Sequence, residues 1–172
     1  RRVLELELAA ARVLLQSKRL RIWWASDDMG FATGLMISPD DTRALVLSGH
    51  MALAERAHAA GCPYLLHACG NRRDVIEDMI TDTRIDAIHS WEDKIESILD
   101  AKRAYGDRMS LLGGIDVDFL CRAGEGAIRR RVRATIESCQ PGGGFCLGSG
   151  NTVANYIPLD NYLAMLDEGR RF

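Results

Sequence analysis

Pro63-Tyr64-Leu65-Leu66-His67-Ala68-Cys69, closed at once by Gly70-Asn71, is the stretch that decides the fold. It has the length and apolar content of a buried strand, and the Gly-Asn pair ends it abruptly. An apolar run that finishes in polar, metal-ligating side chains fits a parallel β/α arrangement, in which chemistry gathers at the carboxyl ends of strands. His67 and Cys69 stand two residues apart, so on a strand they project from one face.

The same pattern repeats on both sides. Residues 3–18 are rich in Leu and Ala and read as a helix. Arg21 to Ser26 is a short apolar strand that runs into Asp27-Asp28-Met29-Gly30. Residues 40–60 read as a long helix, capped by Asp40 or Asp41 and stopped by Gly61. Downstream, 72–80 reads as a short helix and Ile85 to Trp91 as a strand. Ser90-Trp91-Glu92-Asp93 has capping-box spacing and is expected to open a helix reaching about Tyr105. Met109 to Asp116 is a strand, 124–139 a basic helix, Phe145 to Leu147 a strand and 159–169 a last helix. Strands alternating with helices define the class as α/β, with parallel β/α units arranged as a barrel of the (β/α) type or as a doubly wound sheet. A complete eight-stranded barrel takes about 250 residues. The 172 residues therefore read as one domain, 1–172, the C-terminal part of a (β/α)8 barrel without its N-terminal segment. Open sheet edges in such a piece are expected to drive pairing with a second copy, a homo-oligomer.

Composition excludes several classes. Twenty-two Lys and Arg face 24 Asp and Glu for a net charge of −2, so nothing global attracts nucleic acid or an anionic membrane. The run Arg129-Arg130-Arg131 with Arg133 reads as a solvated helix face. No apolar run approaches the roughly 20 residues that span a bilayer. No secretory signal pattern opens the chain. Five cysteines, an odd number without scaffold spacing, argue for reduced thiols in a cytoplasmic setting. Gly142-Gly143-Gly144 precedes a strand, which makes it a helix-to-strand turn and not a phosphate cradle.

Cys146 also ends an apolar stretch, before Leu147-Gly148-Ser149-Gly150-Asn151. One imidazole and two thiols, His67, Cys69 and Cys146, are the donor set of a catalytic Zn(II) site with its fourth position open. The structural reading of such cysteines is simple packing, and it is kept for Cys62, Cys121 and Cys139. Asp28 and His89, at other strand ends, are candidate catalytic groups. Asn71, Asp116, Ser149 and Asn151 are candidate substrate contacts, with helix capping the plainer reading for Asn71 and Asp116. His50 and His58 fall in a helix and read as surface or satisfied core residues. Trp23 and Trp24 must point to opposite faces of their strand.

LLHACGN (65–71), LLGGID (111–116), PGGGFCLGSGN (141–151) and NYIPLDNYLAMLDEGRR (155–171), taken in order, resemble the uroporphyrinogen decarboxylase superfamily. Within it they look closest to the branch of corrinoid-dependent methyltransferases, which are (β/α)8 barrels. That branch carries His-x-Cys and a later Cys as zinc ligands, at a separation similar to that of Cys69 and Cys146. The resemblance implies an enzyme that moves a methyl group between a corrinoid such as methylcobalamin and a small-molecule thiol, with a corrinoid or corrinoid protein as partner. The alternatives are porphyrinogen decarboxylation, in heme biosynthesis, or a non-catalytic fragment with a structural zinc site. The decarboxylases carry Gly-His-Gly near the last strand, where this chain has Gly148-Ser149-Gly150.

Overall fold

A computed structural model describes residues 2–172. Helix α1 (Arg2–Leu14) leads into strand β1 (Trp23–Asp28) and a small antiparallel hairpin, β2 (Gly30–Phe31) and β3 (Gly34–Leu35). A helical stretch follows as α2 (Pro39–Asp41), a π-helical segment (Thr42–Leu47) and α3 (Ser48–Ala59). Then come β4 (Tyr64–Cys69), α4 (Ile76–Thr81), β5 (Ala87–His89), α5 (Ile98–Tyr105), β6 (Ser110–Ile115), α6 (Val117–Arg122), α7 (Glu125–Cys139), β7 (Phe145–Ser149) and α8 (Leu159–Gly169). Five strands form one sheet in the order β1-β4-β5-β6-β7, and the β1/β4 and β6/β7 pairs are parallel. This is the expected α/β class, with parallel strands alternating with helices.

The chain divides into two compact units, 1–88 and 89–172. In the first, β1 and β4 pair from Trp23↔Tyr64 to Asp28↔Cys69. Tyr64, Leu66 and Ala68 are fully buried on one face of β4. That face looks toward α3, where the His50 imidazole donates Nε2–H to the Asp27 carboxylate (3.3 Å) and accepts the Tyr64 hydroxyl at Nδ1 (2.8 Å). Burial pushes the Tyr64 hydroxyl above its ordinary value, and the charges of Glu7 and Asp27 add to the effect. His50 is therefore the satisfied core histidine the sequence suggested. The exposed ring of Trp24, beside a half-buried Trp23, bears out their opposed orientation.

In the second unit, Ile115, Leu120, Ile128, Val132, Ile136, Ile157, Ala164 and Met165 make the core, with Phe145 and Leu147 packed against it. Each such large side chain contributes about 1.5–3 kcal/mol on burial. Glu168 on α8 is 2% exposed and lies between Arg129 and Arg133 of α7. Two arginines of the basic helix thus clasp the last helix instead of facing water alone. Their hydrogen bonds hold the Glu168 carboxyl below its ordinary value.

Several boundaries differ from expectation. The helix at 39 is capped by Ser38, whose Oγ accepts from Asp41 N at 3.1 Å, with Pro39 in the first turn; Asp40 and Asp41 do not cap it. The helix expected from Ser90 begins at Ile98, because Ser97 supplies the cap to Asp100 N (3.2 Å) and Asp93 N is drawn to Asp116 (2.9 Å). The strand read over 85–91 shortens to Ala87–His89. The hairpin β2/β3 was not anticipated, and α6 is the short helix that the capping reading of Asp116 implies. All five cysteines are free. Among the described residues no helix is long and apolar enough to cross a membrane.

Candidate metal centre

Parallel pairing of Asp28 with Cys69 and of Ser26 with His67 puts these four side chains on one face of the β1/β4 ladder. It is the face turned away from α3, since Asp27 and Tyr64 take the other. The ladder ends here, and the donor atoms converge. One ligand atom each from Asp28, His67 and Cys69 lies within 4.8 Å of the other two. His67 Nε2 is 3.1 Å from Cys69 Sγ. Asp28 is exposed, while His67 and Cys69 are half-buried.

The electrostatics suit a metal ligand. Burial pushes the His67 imidazole below its ordinary value; Asp28 opposes that shift and Arg72 adds to it. A neutral imidazole is the form that binds a metal. One oxygen, one nitrogen and one sulfur donor fit Zn(II), which accepts all three and keeps a fourth position for a ligand. The thiol disfavours magnesium and calcium, which take oxygen donors.

The strand end is built by backbone contacts. Gly70 has φ +89°, and a Cβ there would run into the Gly30 carbonyl. The hairpin is thereby seated directly on the turn after β4. Met29 N donates to Cys69 O (3.2 Å) and Asn71 N to Phe31 O (2.8 Å). The Asn71 side chain is part of this seat, donating to Ala32 O (3.4 Å) and accepting from Arg73 N (3.2 Å). Asn71, expected to touch substrate or cap a helix, holds the hairpin to the strand end.

The other expected residues lie in the second unit. Cys146 is exposed on β7 and is not a member of the Asp28/His67/Cys69 group. Its neighbours Phe145 and Leu147 pack on the helical core, so Cys146 points away from those helices. His89 Nε2 lies 2.9 Å from Ser149 O, a main-chain contact. Ser149 Oγ donates to Asn151 O (2.7 Å), and Asn151 Oδ1 accepts from Thr152 N (2.8 Å). Asp116 caps α6: its carboxylate accepts from Phe119 N (3.0 Å) and Asp93 N (2.9 Å). The plainer reading of Asp116 thus holds, although it also lines a 650 Å³ cavity with Trp91, Lys94, Asn151 and Tyr156.

Sequence reasoning missed Arg72. It is 7% exposed, and one guanidinium nitrogen, Nη1, donates to Ala68 O (2.9 Å) and Gly70 O (3.2 Å). No pattern in the sequence distinguishes it from its exposed neighbour Arg73.

Ligand-type side chains at the carboxyl ends of parallel, helix-alternating strands, in a sheet ordered β1-β4-β5-β6-β7, are consistent with part of a barrel-type β/α domain. The model of the family described as uroporphyrinogen decarboxylase (URO-D) matches residues 25–172, and the chain belongs to that family. It is 28% identical over 131 residues to the methylcobamide:CoM methyltransferase MtaA of Methanosarcina barkeri, an alignment covering 76% of this chain and 36% of that protein. In fold it is similar to a methyltransferase from Methanosarcina mazei, with a TM-score of 0.74 at 23% identity over 98% of this chain and 47% of the other. The chain therefore spans between a third and a half of the length of these relatives.

Proposed function

We propose that the protein serves zinc-dependent methyl transfer between a corrinoid and a small thiol. The convergence of Asp28, His67 and Cys69 carries this reading, supported by the similarity to a protein named as a methylcobamide:CoM methyltransferase. Bound zinc supplies a Lewis acid that favours the thiolate form of an incoming thiol. His67 and Cys69 would hold the ion as a neutral imidazole and a thiolate. Asp28, exposed at the end of β1, would accept the proton the thiol releases, or serve as the third donor only where Cys146 does not bind, so that the fourth position stays open to the thiol. Cys146 enters as a further thiolate ligand on the strength of the sequence resemblance. In balance, the thiol sulfur would bond to the methyl carbon, the cobalt–carbon bond would break with its pair left on the corrinoid, and the proton would pass to solvent, directly or by way of Asp28.

Porphyrinogen decarboxylation is the second reading, favoured by the description of the family. The zinc-type donor set and Gly148-Ser149-Gly150 in place of Gly-His-Gly weigh against it.

The test is anaerobic incubation of the zinc-loaded protein with methylcobalamin and coenzyme M or mercaptoethanol. Zinc-dependent formation of the methyl thioether, absent in His67→Ala, is expected. A protein that binds no zinc, or variants whose zinc content equals that of the wild type, would overturn the reading.

A further inference from the structure

We infer that Arg72 is a positioning residue for the metal-binding end of β4, holding the backbone on either side of Cys69 in the geometry that presents His67 and Cys69 together. This deepens the zinc reading above and rests on it.

Three consecutive carbonyls lead through this point, and each has a specific donor. Ala68 O and Gly70 O accept from Nη1 of Arg72, at 2.9 and 3.2 Å. Cys69 O, between them, accepts from Met29 N at 3.2 Å. The Cys69 peptide units are thus fixed from both edges of the strand just where the ladder runs out. A parallel ladder ordinarily frays there, because its last carbonyls lack a partner strand. A buried, planar guanidinium is suited to the task, since its Nη1 donates to both acceptors from a rigid fork that loses less freedom on binding than an ammonium on a flexible stem. Burying a cation is costly unless it is matched. Asp28 stands in the same electrostatic field, acting on His67 with the opposite sign to Arg72. A residue needed only to fill space here would not have to be an arginine.

The experiment is cobalt(II) and zinc titration of the full chain and of Arg72→Met, Arg72→Gln and Arg72→Lys, with far-UV circular dichroism as the check on folding. Cobalt reports ligand geometry through its visible d–d bands and thiolate-to-metal charge-transfer band, independently of any turnover. The expected result is a loss of metal affinity of about tenfold or more in Arg72→Met, the range seen when supporting groups around metal ligands are removed. Altered d–d bands should accompany it, with partial recovery in Arg72→Lys and Arg72→Gln. Wild-type affinity and spectrum in a folded Arg72→Met would overturn the role of Arg72 while leaving the zinc reading intact. A wild-type chain that binds neither metal overturns both. If Arg72→Met fails to fold, Arg72→Gln decides by the same criteria; variants that all unfold would assign Arg72 to general stability and overturn the inference.

Discussion

His67 Nε2 stands 3.1 Å from Cys69 Sγ, two residues along one strand, and the Asp28 carboxylate reaches the same point from the paired strand. The arrangement requires only the pleat and the parallel register, because residues two apart share a face and Asp28 pairs with Cys69. His67→Ala and Cys69→Ala should each lose bound zinc while far-UV circular dichroism stays unchanged. Asp28→Asn separates ligand from bystander: weakened zinc affinity marks the carboxylate as a donor, and wild-type affinity removes it from the site.

Cys146 tests the part of the ligand set that came from the sequence alone. Its side chain is exposed, so Cys146→Ala should change stability by no more than about 0.5 kcal/mol. If Cys146 is a ligand, the same variant will show reduced zinc retention against a chelator. Retention equal to wild type would limit the centre to β1 and β4.

Gly70→Ala should destabilise the protein by about 1–3 kcal/mol, since it demands a positive φ from a residue with a side chain and drives Cβ into the Gly30 carbonyl. Urea unfolding measures this. A variant with an unchanged midpoint would mean that the hairpin is free to move off the strand end.

Tyr64→Phe removes the hydroxyl that His50 accepts, at a cost of about 1–3 kcal/mol for the buried ring nitrogen left without it. The pH dependence has a definite sign. Tyr64 keeps its proton in the folded state above the ordinary tyrosine value, whereas the unfolded chain releases it near pH 10. Its contribution is therefore intact below about pH 10 and fades as pH climbs toward the raised folded value. Wild type should lose stability faster than Tyr64→Phe as pH rises above about 10; parallel slopes there would contradict this.

Glu168→Gln takes away the carboxylate shared by Arg129 and Arg133. The carboxyl is held below its ordinary value, so its contribution is present above about pH 4.3 and lost on acidification. The variant should unfold at lower urea than wild type at pH 7, with the gap closing toward pH 3. Equal midpoints at pH 7 would show that the arginines' other partners suffice.

Long elements with unmixed patterns were legible in the sequence. The helix over 159–169 and the strands through Leu66 and Leu111 fall where apolar periodicity and flanking glycines put them. The hairpin at Gly30–Leu35 was not, because two-residue strands have no period and this one is placed by contact with a turn some 40 residues later. The cap at Ser97 displaced that at Ser90 because Asp116, distant in sequence, captures Asp93 N. Within the candidate centre, His67 and Cys69 were readable from spacing and Asp28 from its place at a strand end. Its convergence on them depends on the β1/β4 register, which no local pattern encodes. Arg72 was hidden for a related reason, since its acceptors are main-chain oxygens and carry no mark in the sequence.

Glycine at 30 meeting glycine at 70 makes two distant turns a mutual template. Each loop's path is fitted to the other's, with Met29 N on Cys69 O and Asn71 N on Phe31 O fastening the hairpin to the strand end. The amides of Met29 and Asn71 should then exchange with solvent in a single concerted opening, and a library that varies the sequence around either turn explores only the variants that preserve both hydrogens.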